Sequence, residues 1–469
     1  MKPFFVFLSA LSFAVSGFGA EKPNLLFIFA DDQCFDTINS LGNREVQTPN
    51  LDRLVAGGTT FTHAYNMGSW SGAVCVASRT MLNTGKFIWR ANQSDLKVMQ
   101  EEGQMWSQVL QDAGYDTYFS GKWHVKADTQ QIFSISRNVR PGMPNQTKEG
   151  YNRPIDGKPD PWSPSDPKFE GFWKGGKHWS EVLGDDAVDY LQVAGGMSTP
   201  FFMYLAFNAP HDPRQSPQSY VDRYPLSEIA MPVNFMPEYP FNEVMKSGRG
   251  LRDEKLAPFP RTENAVKVNR QEYYAIITHM DHQIGRILDE LEASGKADNT
   301  YIFFSADHGL AVGQHGLMGK QNMFDHSLRV PLMVKGPGIA KGAKIDERVY
   351  LQDIMATTID LTGADKPDYV EFNSLMPILR GEENGYESIY GAYLDGQRAV
   401  IHSDYKLILY PKEPVALLFN LADDPHETKN LAKNPEKLPI VKLLFSKLLQ
   451  LQDEMEDSLN LKAIYPQLH

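Results

Sequence analysis

Short runs of consecutive apolar residues alternate along the chain with longer amphipathic segments. Four runs are rich in Phe, Ile, Leu or Tyr and are bounded by polar or turn residues: 24–30, 117–120, 201–207 and 301–306. Runs of this length and composition are typical of strands that are buried on both faces of a sheet. The sequence therefore predicts an α/β fold in which helices cover both faces of the sheet.

The clearest helical pattern spans residues 271–294. Tyr273, Ile277, Met280 and Ile284 recur at spacings of three and four, which places them on one face of a helix. Gly295 follows and is a typical helix stop. The pattern predicts a long helix packed against the sheet.

Two proline-rich stretches, 141–167 and 210–260, interrupt this alternation. They hold more than half of the chain's 30 prolines, and we expect long surface loops that shape a binding site. After residue 381 the chain contains shorter strand-like runs at 398–402, 406–410 and 416–421, followed by a helical pattern at 439–456. These patterns predict a large domain over residues 21–380 and a smaller C-terminal α+β domain over residues 381–469.

Composition and charge restrict the possible partners. The 469 residues are 42% hydrophobic and 22% charged, which is enough for a large core, and the formal net charge is −12. A net acidic chain argues against general affinity for nucleic acid or for an anionic membrane, because both require a basic surface. An anionic substrate would therefore need a locally basic pocket.

The first twenty residues have the layout of a secretory signal peptide. Lys2 precedes an apolar run that ends at Val15, and small residues follow as far as Ala20. The run is shorter than the ~20 apolar residues of a spanning helix, so we expect no stable membrane insertion. Residues 1–20 are predicted to be removed, and the protein is predicted to be periplasmic or secreted.

Residues capable of chemistry follow each of the four predicted strands. They are Asp31 and Asp32, then Lys122 and His124, then His211, then Asp307 and His308. Ligands of open α/β sheets bind beyond the carboxyl ends of the strands, so these groups converge if the four strands are parallel.

The residue types favour an anion site next to a cation. Three carboxylates buried together require a neutralising ion, and oxygen ligands favour Ca²⁺ or Mg²⁺. Lys122 and Lys320 are candidates to hold an anion, and His124 and His211 are candidates for acid and base catalysis. Taken singly, each residue also fits a structural role, as a cap, a solvated lysine or a buried histidine.

Cys34 and Cys75 are the chain's 2 cysteines, which excludes a disulfide scaffold. In an oxidising compartment they could form one bridge with each other, and the residues alone leave this open.

The segment Cys75-Val76-Ala77-Ser78-Arg79, followed by Thr84-Gly85-Lys86, resembles the signature of the type I sulfatases, C-x-P/A-S-R with a T-G-basic element at fixed distance. Further segments resemble the family in the same order: Asp31-Asp32, Gly121-Lys122-Trp123-His124, Ala209-Pro210-His211, Ser305-Ala306-Asp307-His308-Gly309, Gly319-Lys320 and Arg329-Val330-Pro331. In the tail, Leu418-Phe419-Asn420-Leu421 and Asp423-Asp424-Pro425-His426-Glu427 resemble the small C-terminal domain of bacterial sulfatases. The resemblance covers almost the whole chain after the predicted signal peptide.

The resemblance implies an alkaline phosphatase-like fold with a large central mixed sheet. It also implies that a maturation enzyme oxidises Cys75 to formylglycine, whose hydrate is the nucleophile. Cys34 would then remain a free, buried thiol.

The family's remaining site residues map onto matching positions. Asp31, Asp32, Asp307 and His308 would hold a divalent cation, commonly Ca²⁺, with Mg²⁺ as the alternative. Family members often have Asn at the position of His308. Lys122 and Lys320 would neutralise the sulfate, His211 would protonate the leaving oxygen, His124 would remove a proton from the hydrate, and Arg79 would orient the formylglycine.

The expected function is hydrolysis of sulfate esters on a sulfated carbohydrate, such as an algal polysaccharide or a glycosaminoglycan fragment. Arg214, Lys246, Arg249 and Arg252 could hold neighbouring acidic groups of that substrate.

Two alternatives from other classes are a phosphate or phosphonate ester hydrolase of the same superfamily and an inert secreted carbohydrate-binding protein. In the second, Trp162, Trp173 and Trp179 could stack on sugar rings.

Overall fold

The computed structural model describes residues 21–468, so the predicted signal peptide lies outside the described residues. Within this range thirteen strands form two sheets. The strands are β1 (Asn24–Ala30), β2 (Thr59–Tyr65), β3 (Gly68–Ser69), β4 (Asp116–Lys122), β5 (Ile135–Arg140), β6 (Phe201–Ala206), β7 (Thr300–Ala306), β8 (Arg329–Lys335), β9 (Ala343–Tyr350), β10 (Ser388–Tyr393), β11 (Gln397–His402), β12 (Tyr405–Tyr410) and β13 (Val415–Asn420).

The helices of the same range connect and cover these strands. They are α1 (Pro49–Gly57), α2 (Val74–Thr84), α3 (Ile88–Gln93), α4 (Leu96–Glu101), α5 (Trp106–Asp112), α6 (Thr129–Ile132), α7 (Trp179–Gly195), α8 (Gln218–Val221), α9 (Glu263–Ala293), α10 (Asp325–Leu328), α11 (Asp353–Thr362), α12 (Met376–Leu379), α13 (Leu438–Met455) and α14 (Leu461–Ile464). Among residues 21–468, no helix has the length and apolar character needed to span a bilayer.

The larger sheet has eight strands in the order β5-β4-β6-β1-β7-β8-β2-β9. Strand β8 runs antiparallel to both of its neighbours, and the other pairs are parallel. The expected large mixed sheet is thus confirmed. The four strands predicted from apolar runs are its adjacent central strands β4, β6, β1 and β7.

Helices cover both faces of this sheet, as the apolar strands require. On one face Trp106 of α5 and Ile354 of α11 pack with Phe27 and Phe119. On the other face α1, α7 and α9 contribute residues such as Leu183 to a second apolar cluster. Because side chains of β1 point alternately to the two clusters, both faces of the strand are buried.

The smaller sheet has the order β13-β12-β11-β10-β3. Val441, Leu444, Phe445 and Leu448 of α13 pack into the apolar cluster of this sheet. The edge strand β3 comes from residues 68–69, far from the other four strands in sequence, and pairs parallel with β10. Because a segment of the predicted large domain thus forms part of the smaller sheet, the domain boundary between residues 380 and 381 stays a prediction.

Several elements differ from their predicted extents. Helix α9 begins at Glu263, eight residues before the predicted start, because the Thr262 hydroxyl caps it by accepting from Ala265 N at 3.2 Å. Six strands were not predicted: β2, β3, β5, β8, β9 and β10. Of these, β5 and β9 are the two edges of the large sheet, and their partly exposed polar residues hide the apolar signal.

Gly121 allows β4 to bring Lys122 to the sheet edge. Its φ is +101°, and a Cβ there would lie 1.9 Å from the Ala206 carbonyl oxygen of β6. We expect Gly121→Ala to lower the free energy of unfolding by at least about 3 kcal/mol, measured by urea denaturation. Gly157→Ala is the control: φ there is +74° but no atom lies within 4 Å of the added Cβ, so the loss should be about 1–2 kcal/mol. Equal losses in the two variants would contradict the steric argument.

Candidate active site

The carboxyl ends of β4, β6, β1 and β7 lie side by side at one edge of the large sheet, as predicted for parallel strands. Helix α2 brings Cys75 to the same place in its first turn and Arg79 one turn later. Lys320 arrives from the loop between β7 and β8. The structure therefore brings all ten predicted site residues together, nine of them buried and His124 half-buried.

Five side chains that could ligate a metal ion converge at this edge of the sheet. Asp31, Asp32, Cys75, Asp307 and His308 each offer one ligand atom, and these atoms lie within 4.8 Å of one another. Burial and the neighbouring Asp307 raise the pKa of Asp31 well above its usual value, so its negative charge is under-compensated. Three carboxylates with one imidazole fit a hard divalent cation, which would neutralise that charge.

Cationic side chains surround the same carboxylates. Lys122 pairs with Asp31, and Lys320 Nζ lies 2.8 Å from both carboxylate oxygens of Asp32. Arg79 donates from Nε to Asp307 Oδ2 at 2.9 Å and from Nη1 to the Lys122 carbonyl at 2.9 Å. Its Nη2 has no partner among residues 21–468. Each of the three buried carboxylates thus has one cationic side chain as a partner.

The Cys75 sulfur lies at the centre of these groups. Lys320 Nζ is 3.2 Å from Sγ, His308 Nε2 is 3.3 Å away, and Asp31 Oδ1 is 3.4 Å away. Burial opposes ionisation of the thiol, but Lys122, Lys320 and His308 outweigh it and hold the pKa of Cys75 well below its usual value. Residue 75 thus occupies a position that stabilises negative charge.

The two candidate histidines have different environments. Burial disfavours the charged form of His211, but the carboxylates of Asp32, Asp212 and Asp31 together outweigh it and raise the pKa of His211 well above its usual value. Its Nδ1 hydrogen-bonds the Asp212 carbonyl at 2.8 Å, which leaves Nε2, 3.1 Å from Lys320 Nζ, facing the site. Burial lowers the pKa of His124, and the neighbouring Cys75 opposes this shift. One proton-carrying and one neutral imidazole are the pair that acid and base catalysis requires.

Backbone strain accompanies this arrangement. Asp32 has φ +66° and His124 has φ +59°, in the left-handed region that non-glycine residues rarely adopt. Residues held in this region are concentrated at functional sites.

A hydrogen-bonded chain that sequence reasoning missed supports His211. Asp212 pairs with Arg252, which also pairs with Asp253. Gln321 Nε2 donates to Asp253 Oδ2 at 2.7 Å and to the Gly72 carbonyl at 3.1 Å. The chain connects the His211 loop with the segment that leads into α2.

A second support holds the loop that carries Lys320. The buried carboxylate of Glu254 accepts from Gly319 N at 2.8 Å and from Met318 N at 3.0 Å, and Arg261 pairs with it. The acidic residues Asp212, Asp253 and Glu254 of these supports come from the proline-rich stretch 210–260, where no motif or spacing marks their role.

The basic residues proposed to hold acidic groups of the substrate are paired within the chain. Arg252 pairs with Asp212, Arg249 with Glu238, Lys246 with Asp395, and Arg214 donates to Asn269. These partners could not be foreseen, because loop length gives no information on nearby acidic residues, and a role of the four basic residues in substrate binding stays a prediction.

The proposed sugar-stacking tryptophans are also engaged in packing. Trp162 and Trp179 are buried, and Trp173 donates its indole N–H to the Pro164 carbonyl at 3.2 Å. The suggested Cys34–Cys75 bridge is wrong. Both cysteines are free, and Cys34 Sγ donates to the Leu310 carbonyl at 3.0 Å.

Two family models match the chain. The model described as "Sulfatase" matches residues 23–364, and the one described as "N-sulphoglucosamine sulphohydrolase, C-terminal" matches residues 313–454. An arylsulfatase of Clostridium perfringens is 28% identical over 460 residues, covering 88% of this chain and 91% of the relative. An ulvan-active sulfatase of Formosa agariphila is 26% identical over 466 residues, covering 95% and 84%.

Solved structures share the fold. One chain, solved in complex with its substrate D-glucosamine-2-N,6-O-disulfate, has a TM-score of 0.72 and 21% identity, with coverage of 93% of this chain and 99% of that one. A phosphonate monoester hydrolase of Agrobacterium radiobacter has a TM-score of 0.71 and 20% identity, with coverage of 92% and 96%. At these identities the likeness concerns the fold alone. Because the sulfatase model covers more than half of the chain, the protein belongs to the sulfatase family of sulfuric ester hydrolases.

Proposed function

We propose that this sulfatase hydrolyses sulfate esters of a sulfated carbohydrate, with residue 75 acting as formylglycine beside a divalent cation. The observation that carries the proposal is the position of Cys75 Sγ, 3.2 Å from Lys320 Nζ and within 4.8 Å of four metal-ligating atoms. The carbohydrate class is supported by relatives named as an ulvan-active sulfatase and as an N-acetylglucosamine-6-O-sulfatase of Bacteroides thetaiotaomicron.

The cation would be held by Asp31, Asp32, Asp307 and His308. Their oxygen-rich donor set favours Ca²⁺, with Mg²⁺ as the alternative. When bound, the ion would neutralise charge on the sulfate oxygens, so that an oxygen nucleophile can approach a negatively charged ester.

Residue 75 would supply the nucleophile. A formylglycine hydrate carries two hydroxyls on one carbon, one to attack sulfur and one whose deprotonation lets sulfate leave. A sulfatase maturation enzyme is the partner that this conversion requires. Lys122 and Lys320 would hold the sulfate oxygens, and Arg79, tied to Asp307 and to the Lys122 carbonyl, would fix the position of residue 75.

The histidines would move the protons. His211 would donate from Nε2 to the oxygen of the departing alcohol, because its Nδ1 is engaged by the Asp212 carbonyl. His124 would accept the proton of the second hydroxyl, a role that the lowered pKa of this imidazole suits.

We further propose that residues 21–380 form the catalytic domain and residues 381–469 the smaller one. The second sheet supports this division, because four of its five strands begin at or after Ser388. Export to the periplasm or the medium, after removal of residues 1–20, fits an enzyme that acts on polymers outside the cell.

Esters of one phenol test the reaction type. A phosphate or phosphonate ester hydrolase is the alternative, because phosphonate monoester hydrolases share the fold. We expect kcat/KM for the aryl sulfate to exceed that for the matched aryl phosphate and phosphonate by at least about 100-fold, or about 2.7 kcal/mol in the transition state. Faster cleavage of either phosphorus ester would overturn the proposal.

The state of residue 75 must be known in the same sample. A mass spectrum of the tryptic peptide that carries it separates thiol, disulfide and aldehyde. We expect the aldehyde in protein made with a maturation enzyme. Sulfatase turnover by protein in which Cys75 is entirely a thiol would contradict the formylglycine mechanism.

A further inference from the structure

A half-buried tryptophan lies just before the helix that carries Cys75 and packs with part of its surface against the apolar cluster of the smaller sheet. Trp70 lies five residues before Cys75, between β3 and α2. Five of the chain's seven tryptophans donate the indole N–H to a protein acceptor, and Trp162 is buried under Arg153. Within residues 21–468, the Trp70 indole N–H has no acceptor, and no other ring or cation stacks on it.

Two cavities meet at Trp70. One of about 470 Å³ and another of about 510 Å³ share Trp70 as a wall, together with the exposed side chains of Asn92 and Gln93. Together they form a groove, here called the Trp70 groove, with the indole at its middle. An aromatic face flanked by two amides can bind a ring that has an apolar face and hydroxyl groups on its edge.

The first cavity is next to the reaction site. Val76 and Thr80 of α2 line it, and each follows by one position a residue of the active site, Cys75 or Arg79. Neighbouring positions are about 100° apart around a helix, so the cavity lies along the flank of the helix that also carries Cys75 and Arg79. A sugar next to the reacting one would be within reach of this flank.

The segment that carries Trp70 is fixed by hydrogen bonds. Ser69 Oγ donates to the Ser71 carbonyl at 2.7 Å and accepts from Ser71 N at 3.0 Å. Gln321 Nε2 holds the Gly72 carbonyl at 3.1 Å. The backbone that carries the indole is therefore pre-organised, which lowers the entropy cost of binding.

A free cation faces the same cavity. Lys126 is exposed, lies two residues after His124, and makes no ion pair within the described part of the chain. The other lysine of the cavity, Lys97, pairs with Glu101 at 3.7 Å. Arg398 in the second cavity is engaged by Asp457. Lys126 is therefore the side chain available to an anionic substituent.

We propose that Trp70 and Lys126 form a subsite for a second, anionic sugar, bound next to the sugar whose sulfate ester is cleaved. The sugar ring packs on the indole, and its sulfate or carboxylate pairs with the Lys126 ammonium. The proposal rests on the proposed function, because it requires a carbohydrate substrate of at least two sugar units. It makes Trp70 and Lys126 determinants of specificity rather than of chemistry.

Kinetics of Trp70→Ala and Lys126→Gln test the subsite. Each variant, with residue 75 converted, is compared on an aryl sulfate and on oligosaccharides of ulvan, carrageenan, chondroitin sulfate and heparan sulfate. We expect the ratio of kcat/KM on the cleaved oligosaccharide to that on the aryl sulfate to fall at least about 10-fold for Trp70→Ala. For Lys126→Gln it should fall about 5-fold at low salt and less at about 0.5 M salt. Lys433→Gln is the control matched in charge to Lys126→Gln. Lys433 is exposed and lies between β13 and α13, so its replacement should leave the ratio unchanged.

Binding provides a second readout that does not depend on turnover. The same proteins are run through native gels that contain each of the four polymers, and retardation should weaken in both variants but not in Lys433→Gln. If matured wild-type protein turns over neither the aryl sulfate nor any oligosaccharide, the proposed function is refuted. The subsite is then still tested by the gels, because retardation by a polymer does not require turnover. An unchanged ratio in both variants, or wild-type protein that is neither retarded by nor active on any of the polymers, overturns the subsite.

Discussion

Replacing Cys75 by serine is expected to lower kcat on an aryl sulfate by at least about 10⁴-fold when the host modifies only cysteine. A serine hydroxyl would lie in the same cluster of Lys122, Lys320 and His308. It lacks the second hydroxyl on the same carbon, so even a sulfated serine could not release sulfate by the same route. The change in volume is small, so the loss should be one of chemistry rather than of folding.

Cys34→Ser is the matched control for this prediction. Cys34 is also a buried, free thiol, but its sulfur donates to the Leu310 carbonyl, a bond that a hydroxyl can also make. We expect kcat within about threefold of wild type, because the Cys34 sulfur hydrogen-bonds to the backbone at Leu310 and to none of the ten site residues. Circular dichroism melts of both variants exclude unfolding as the cause. Near wild-type turnover in Cys75→Ser would refute a covalent role for residue 75.

The position of the site could be predicted because its residues follow buried strands. Asp31, Lys122, His211 and Asp307 each stand at or just beyond the end of an apolar run, and parallel pairing of β4, β6, β1 and β7 brings those ends together. Strand ends are local features of the sequence. The edge strand β9 could not be predicted, because its residues are partly exposed and form no continuous apolar run. Its position at the edge of the sheet is set by tertiary structure and not by local sequence.

The supporting residues could not be predicted for a different reason. Glu254 holds the backbone at Gly319, and Gln321 holds it at Gly72, across separations of 65 and 249 residues. Such pairs are set by tertiary packing, and no periodicity or motif reports them. The same reason explains why Trp162 was considered as a sugar platform and Trp70 was not, because sequence alone does not give the exposed fraction of a side chain.

Removing divalent ions with EDTA is expected to abolish turnover and to lower Tm by a few degrees. The buried carboxylates of Asp31, Asp32 and Asp307 share one small volume, so a bound cation stabilises the folded chain against an unfolded chain that has no site. An ion present at 100 times its Kd contributes about 2.7 kcal/mol. We expect Ca²⁺ to restore both turnover and Tm at lower concentration than Mg²⁺, because Ca²⁺ accepts many carboxylate oxygens, whereas Mg²⁺ usually takes one or two carboxylates and keeps several waters.

Two aspartate variants separate the metal effect from a general loss of stability. In Asp31→Asn the rise of Tm on adding Ca²⁺ should disappear, because a ligand and the partner of Lys122 are lost. Asp281 is equally buried but accepts from the backbone at Asn50 and Leu51, remote from the site, so Asp281→Asn should lower Tm yet keep the Ca²⁺-dependent rise. Metal content measured by mass spectrometry should fall in Asp31→Asn and stay at the wild-type level in Asp281→Asn. Full turnover and unchanged Tm in metal-free protein would show that these carboxylates hold no ion, and that Lys122, Lys320 and Arg79 alone neutralise the sulfate.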